Sequence, residues 1–182
     1  MTTAWRSAWE VFLLFTVPIG GGIPAGVLLA KVRGLSWVVM ELLYFVSDVC
    51  LACVFEPIML GVIHMAKKSS KAARLAEVFR QTMQRTTAPY GTAAGPVALI
   101  LIAFGVDPMT GRSAAKAAGH GFVTGWALAI TGDMMYFTVL MISTLWLNRW
   151  LNPTATIVVV ILAMIFVPGL IRRIRGRVKK PS

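Results

Sequence analysis

Five apolar stretches, each about as long as a bilayer is thick, recur along these 182 residues. They run from Trp9 to Ala30, Leu35 to Met65, Tyr90 to Gly119, Phe122 to Leu147 and Thr154 to Ile171. About 20 apolar residues are enough for a helix to cross a hydrocarbon layer of ~30 Å. In such a layer every backbone polar group must be paired internally, which leaves helices or closed barrels. The period-2 alternation of a membrane barrel is absent, so the expected fold is all-α and polytopic. Composition supports this. Hydrophobic residues make up 57% of the chain and charged residues 14%, with a mean hydropathy of +0.74. A soluble domain carries about 25% charged residues. The whole chain reads as one membrane domain.

Two of the stretches are broken. Pro18-Ile19-Gly20-Gly21-Gly22-Ile23-Pro24 interrupts the first, and Asp107-Pro108-Met109-Thr110-Gly111 interrupts the third. Proline removes a donor and glycine loosens the backbone, so a continuous helix is costly at either place. Each reads as a helical hairpin, with Gly22, Pro24, Gly26, Pro108 and Gly111 at the bends. The second stretch is predicted to kink near Pro57. The N-terminal run, with Arg6 and then the Pro18–Gly22 break, does not read as a secretory signal.

The net charge of +11 sits at the ends of these stretches, not on a nucleic-acid-binding face. Residues 66–88 carry Lys67, Lys68, Lys71, Arg74, Arg80 and Arg85 against Glu77, with Leu75, Val78, Phe79 and Met83 at helical spacing. That is the pattern of a basic amphipathic helix on lipid headgroups. Residues 172–182 form a basic tail. Lys and Arg favour the cytoplasmic side, so both segments are expected there. The two are compatible only if the third stretch enters and leaves on that side. The first stretch is then a re-entrant hairpin from outside, which puts Lys31 and Arg33 at the outer side.

The two broken stretches match at an offset of 85: Gly20 with Gly105, Gly26 with Gly111, Ala30 with Ala115, Lys31 with Lys116, Gly34 with Gly119 and Asp48 with Asp133. The expected plan is two inverted repeats, residues 1–65 and 89–147, followed by a last membrane helix over 148–171. Inverted repeats with broken helices are a common plan for transporters.

Gly21-Gly22-Ile23-Pro24-Ala25-Gly26, Tyr90-Gly91 and Gly105-Val106-Asp107-Pro108-Met109-Thr110-Gly111 give the chain a resemblance to the small multidrug export protein family, and more distantly to the DedA/VTT membrane proteins. It departs from that family at Val17 to Gly20, where a Glu-Leu-Arg run is expected. The resemblance implies two re-entrant hairpins, each followed by a membrane helix, in the inner membrane of a bacterium.

Ionisable residues at membrane depth are costly and usually functional. Asp48 and Asp133 are the first candidates for a proton or substrate pathway. Glu41, two helical turns before Asp48, shares nearly the same face, with Tyr44 between them. Lys31, Lys116 and Arg112 are candidate partners for these acids or for an anionic phosphate, whose geometry an Arg fork suits. The half-helix N-termini near Gly22 and Gly111 add partial positive charge. His120 is a candidate proton relay. Glu56 and His64 are expected to be interfacial, with Glu56 solvated. Cys50 and Cys53 read as packing residues, with membrane redox chemistry as a minor alternative. No spacing calls for a metal or a cofactor.

The expectation is a proton-coupled transporter, not an enzyme, with lipid around it and a second copy as partner. The alternatives are a flippase for a phosphate-bearing lipid carrier and a non-transporting membrane scaffold.

Overall fold

Proline, glycine and one aspartate set where the helices begin and end. The computed structural model describes residues 2–16, 22–66, 74, 77, 81 and 95–178. Among them are seven bounded helices and no strand: α1 (Thr2–Thr16), α2 (Gly22–Val32), α3 (Trp37–Ala66), α4 (Pro96–Gly105), α5 (Pro108–Ala117), α6 (Phe122–Leu147) and α7 (Pro153–Val178). Arg74, Glu77 and Gln81 are also helical. The rest of the basic segment after Ala66 lies outside the described residues, as do Val17 to Gly21 of the first break.

Each broken stretch is a pair of helices, and the second bend is shorter than its glycines and proline suggest. Pro108 is the first residue of α5, where a missing N–H costs nothing. Asp107 caps that helix, its Oδ1 accepting from the Thr110 N–H at 2.7 Å and its Oδ2 from the Thr110 hydroxyl at 2.6 Å. The bend therefore shrinks to Val106 and Asp107. Gly22 opens α2, and Pro24 sits in its first turn. Gly26 and Gly111 are not bend residues. They lie inside α2 and α5, where the paired helix comes closest. A Cβ on Gly26 would stand 2.6 Å from Phe15 Cε1, and one on Gly111 2.6 Å from Ala103 Cβ. α3 runs without a break through Pro57. One further expectation changes: the basic residues after Ile171 extend α7 to Val178 instead of leaving it as a tail.

The 85-residue offset recurs as local structure. Gly34 and Gly119 are the positive-φ residues among those described, at 72° and 86°. After α2, Gly34 N–H bonds Lys31 O at 3.1 Å and Leu35 N–H bonds Ala30 O at 2.9 Å. After α5, Gly119 N–H bonds Lys116 O at 3.0 Å and His120 N–H bonds Ala115 O at 2.9 Å. Both are Schellman caps, which want glycine in the left-handed conformation. The matched lysines stand in the last turn, where a cation favours the helix dipole. Both caps lead into a long apolar helix.

The chain divides into two compact units. One comprises Met1–Met40 and Val139–Ser182. In it α1 folds back on α2, and α7 packs on α2. Glu10 and Arg33 form an exposed ion pair at 2.6 Å. The other unit is Glu41–Thr138. There Ala52, Ala103, Trp126 and Ala129 pack α3, α4 and α6 together. Leu99, Ile102 and Ala115 join α4 to α5. Gly132 lets α6 lie against the backbone of α4 at Ile100 and Phe104.

Trp37–Val62 and Phe122–Leu147 are long and apolar enough to cross a membrane, and only 28% and 33% of their most apolar windows are buried. A core helix of a soluble protein with such a sequence is mostly covered. Here Leu42, Phe45, Val46, Val49, Val54 and Ile58 face outward on α3 while Tyr44, Ser47, Asp48 and Glu56 are buried.

The two caps give a stability prediction. Gly119 has open space around its missing side chain, so Gly119→Ala costs about 1 kcal/mol through backbone strain alone. Gly61 is equally open and helical, and Gly61→Ala gains about 0.5–1 kcal/mol. Unfolding in mixed micelles reads the opposite signs.

Candidate functional site

Steps of four residues along α3 place Tyr44, Asp48, Ala52 and Glu56 on one stripe, with Ser47 beside it. All five are buried. On α6 the buried stripe holds Trp126, Ala129, Asp133 and Phe137. Within the Glu41–Thr138 unit these stripes bring three acidic centres into order.

The middle centre joins the matched aspartates. Asp48 and Asp133 are 3% and 5% exposed, and their carboxyl groups are in side-chain contact. Tyr44 donates its hydroxyl proton to Asp133 Oδ2 at 2.9 Å. Its ring stacks on Phe137 with centroids 4.1 Å apart and planes 13° apart, which fixes the hydroxyl. Asp48 Oδ2 is buried without a hydrogen-bond partner. Asp107, at the head of α5, is near enough to add to the negative field at Asp133. Among the described residues no cation forms an ion pair with Asp48 or Asp133.

The second centre is Glu56 with Arg112. Arg112 Nε donates to Glu56 Oε2 at 2.9 Å and its Nη2 to Oε1 at 2.6 Å. Trp126 Nε1 donates to Oε2 at 3.0 Å. A bidentate fork with a third donor is the strong form of such a pair. Arg112 is 1% exposed. Its Nη1 is buried without a partner, against Gly125, whose absent Cβ would stand 2.7 Å from it. Lys116 is half-buried in the last turn of α5 and contributes to the field at Glu56. The expectation of a solvated Glu56 is therefore corrected. Steps of four from Asp48 already lead to Glu56. Periodicity gives the face but not the partner, and Arg112 is 56 residues away.

Glu41 forms the third centre. Its Oε1 accepts from the Thr138 hydroxyl at 2.9 Å, and the same hydroxyl lies 2.8 Å from the Met134 carbonyl. Thr138 is a residue the spacing of charges does not single out. A threonine five positions beyond Asp133, at the edge of the α6 stripe, is the signal that finds it.

The remaining candidates lie elsewhere. Lys31 is exposed in the last turn of α2, in the other unit. His120 is half-buried after Gly119, and its backbone closes the second cap. His64 is exposed. Cys50 and Cys53 are free, exposed thiols on α3. Among the described residues no group of His, Cys, Asp and Glu is arranged to hold a metal. No family model matches the chain, and no curated protein or solved structure matches it.

Breaking a buried pair leaves an uncompensated charge, at about 3–5 kcal/mol. Arg112→Met and Glu56→Leu each lower stability by that order, and the double variant recovers most of the loss. A double-mutant cycle by unfolding in mixed micelles measures the coupling.

Proposed function

We propose that this chain is a small multi-pass membrane transporter that exchanges protons for a small amphipathic, positively charged substrate. The observation that carries the reading is the buried Asp48–Asp133 pair, with which no cation among the described residues forms an ion pair, on two helices whose outward faces are apolar. Two adjoining carboxylates repel, and a proton held between them removes the repulsion. A substrate cation arriving at the pair does the same. The site therefore takes one or the other, which is the requirement for exchange. No covalent bond is made or broken, so the reading is not enzymatic.

The membrane frame belongs to the same proposal. The paired helices α1–α2 and α4–α5 are re-entrant hairpins of opposite orientation, with residues 66–88 and the C-terminus in the cytoplasm. The chain sits in a bacterial inner membrane as a homodimer. The motifs resembling the small multidrug export proteins, Gly22-Ile23-Pro24 and Asp107-Pro108 among them, agree with such a plan.

A flippase for an anionic phosphate headgroup is the second reading. It needs free cations, yet Arg112 is held by Glu56, and Lys116 stands near the same acid. The balance of the site is acidic, which favours a cation. A non-transporting scaffold predicts that the aspartates are dispensable.

Purified protein in liposomes, with an imposed pH gradient and ethidium as the probe, separates these readings. The wild type moves ethidium against the gradient. Asp48→Asn and Asp133→Asn each reduce the rate by at least about tenfold, while still eluting as folded protein. A double variant that transports like the wild type contradicts the proposal, as does a wild type no faster than empty liposomes.

A further inference from the structure

A groove of about 530 Å³ lies along α3 and α6. It falls within the range of ordinary ligand pockets, ~300–1,000 Å³. Its walls are Phe45, Ala127, Met134 and Met135, with Glu41 and Thr138 also lining it. All of them belong to the Glu41–Thr138 unit. We propose that this groove is the substrate-entry site, where Glu41 takes the charged end of an amphipathic organic cation drawn from the lipid. The inference rests on the transporter reading and adds to it the place where the substrate is first held.

Charge selects the occupant. Glu41 is the ionisable group in the lining, and among the described residues it forms no ion pair. The Thr138 hydroxyl donates to it, and that hydroxyl's single proton also faces the Met134 carbonyl. The carboxylate thus keeps most of its acceptor capacity for a ligand. A carboxylate amid apolar walls binds a cation and rejects an anion of the same shape.

The walls select an organic cation over a metal ion. Metal ions want several oxygen or nitrogen ligands, and the groove offers one carboxylate. Met134 and Met135 supply polarizable, adaptable side chains that fit varied hydrocarbon shapes. The ring of Phe45 adds an aromatic face of the kind that attracts organic cations. Phe45, Ala127 and Met135 are exposed, on the apolar outer surface that also carries Leu42 and Val46. An amphiphile dissolved in lipid reaches the groove from the side.

The groove residues stand close to the acid pair along α3 and α6. Glu41 precedes Asp48 by seven residues, about 10 Å along the helix. Met134 in the groove wall follows Asp133 directly. A cation received at Glu41 is one short step from the place where it replaces a proton.

Equilibrium dialysis of the purified chain in detergent tests the inference, with tetraphenylphosphonium as the probe and tetraphenylborate as its anionic match. The wild type binds the phosphonium and not the borate. Glu41→Gln weakens phosphonium binding by about tenfold or more. Ala127→Trp fills the groove without touching the carboxylate and weakens it similarly. Val54→Trp, on the exposed face of α3 away from the groove, leaves binding unchanged. Wild-type affinity in both Glu41→Gln and Ala127→Trp overturns the groove as the entry site. So does equal binding of the borate, no binding of either ion, or a change of oligomeric state with binding intact, which would make the groove a contact between copies. Ethidium transport by the Asp48 and Asp133 variants is read separately, so the groove can fail while proton exchange at the aspartates stands.

Discussion

The buried fork between Arg112 and Glu56 is the interaction on which the Glu41–Thr138 unit depends. It fastens α5 to α3, and Trp126 brings α6 into the same contact. A guanidinium this deep is tolerable only with a carboxylate on it, since the cost of taking both charges from water is offset only by good geometry. The pairing has a second effect. It occupies Arg112, the fully buried cation among the described residues, and no other described cation forms an ion pair with Asp48 or Asp133. One buried acid serves the architecture, and the other two are the ones the proposed exchange uses.

The distribution of side chains on α3 and α6 points the same way. Large apolar groups face outward and the acids, the tyrosine and the serine face inward, the reverse of a soluble protein. Both helices are long and apolar enough to cross a membrane, with a polar seam on the covered side. Gly111 against Ala103 and Gly132 against α4 bring backbones within reach, as small residues do where helices approach closely. Ion-pair and hydrogen-bond partners fix which helix meets which.

Much of this was legible in the sequence because apolar length and repeat spacing are strong signals. The fourth apolar stretch has the same limits as α6, Phe122 to Leu147. The match of Gly34 with Gly119 proves to be a pair of like helix caps, and the match of Asp48 with Asp133 a contact. The bends were misjudged because proline and glycine have two uses. Pro108 begins a helix as readily as it breaks one, and Asp107 capping decides between them. Gly26 and Gly111 serve close contact instead of a turn. Spacing sets the helix faces of Glu56 and Thr138 but not their partners, which lie 56 and 97 positions away.

The most direct test of the account is whether the two matched aspartates meet. Asp48→Cys and Asp133→Cys are combined in a chain lacking Cys50 and Cys53, with a protease site placed within residues 66–88. A short bifunctional thiol reagent is applied in membranes, and the chain is then cut. The account predicts that the two fragments stay joined, and that they separate when either new cysteine is omitted. Fragments that separate although both cysteines are present and reactive would mean that Asp48 and Asp133 do not form an acid pair, and the proposed exchange there would fall.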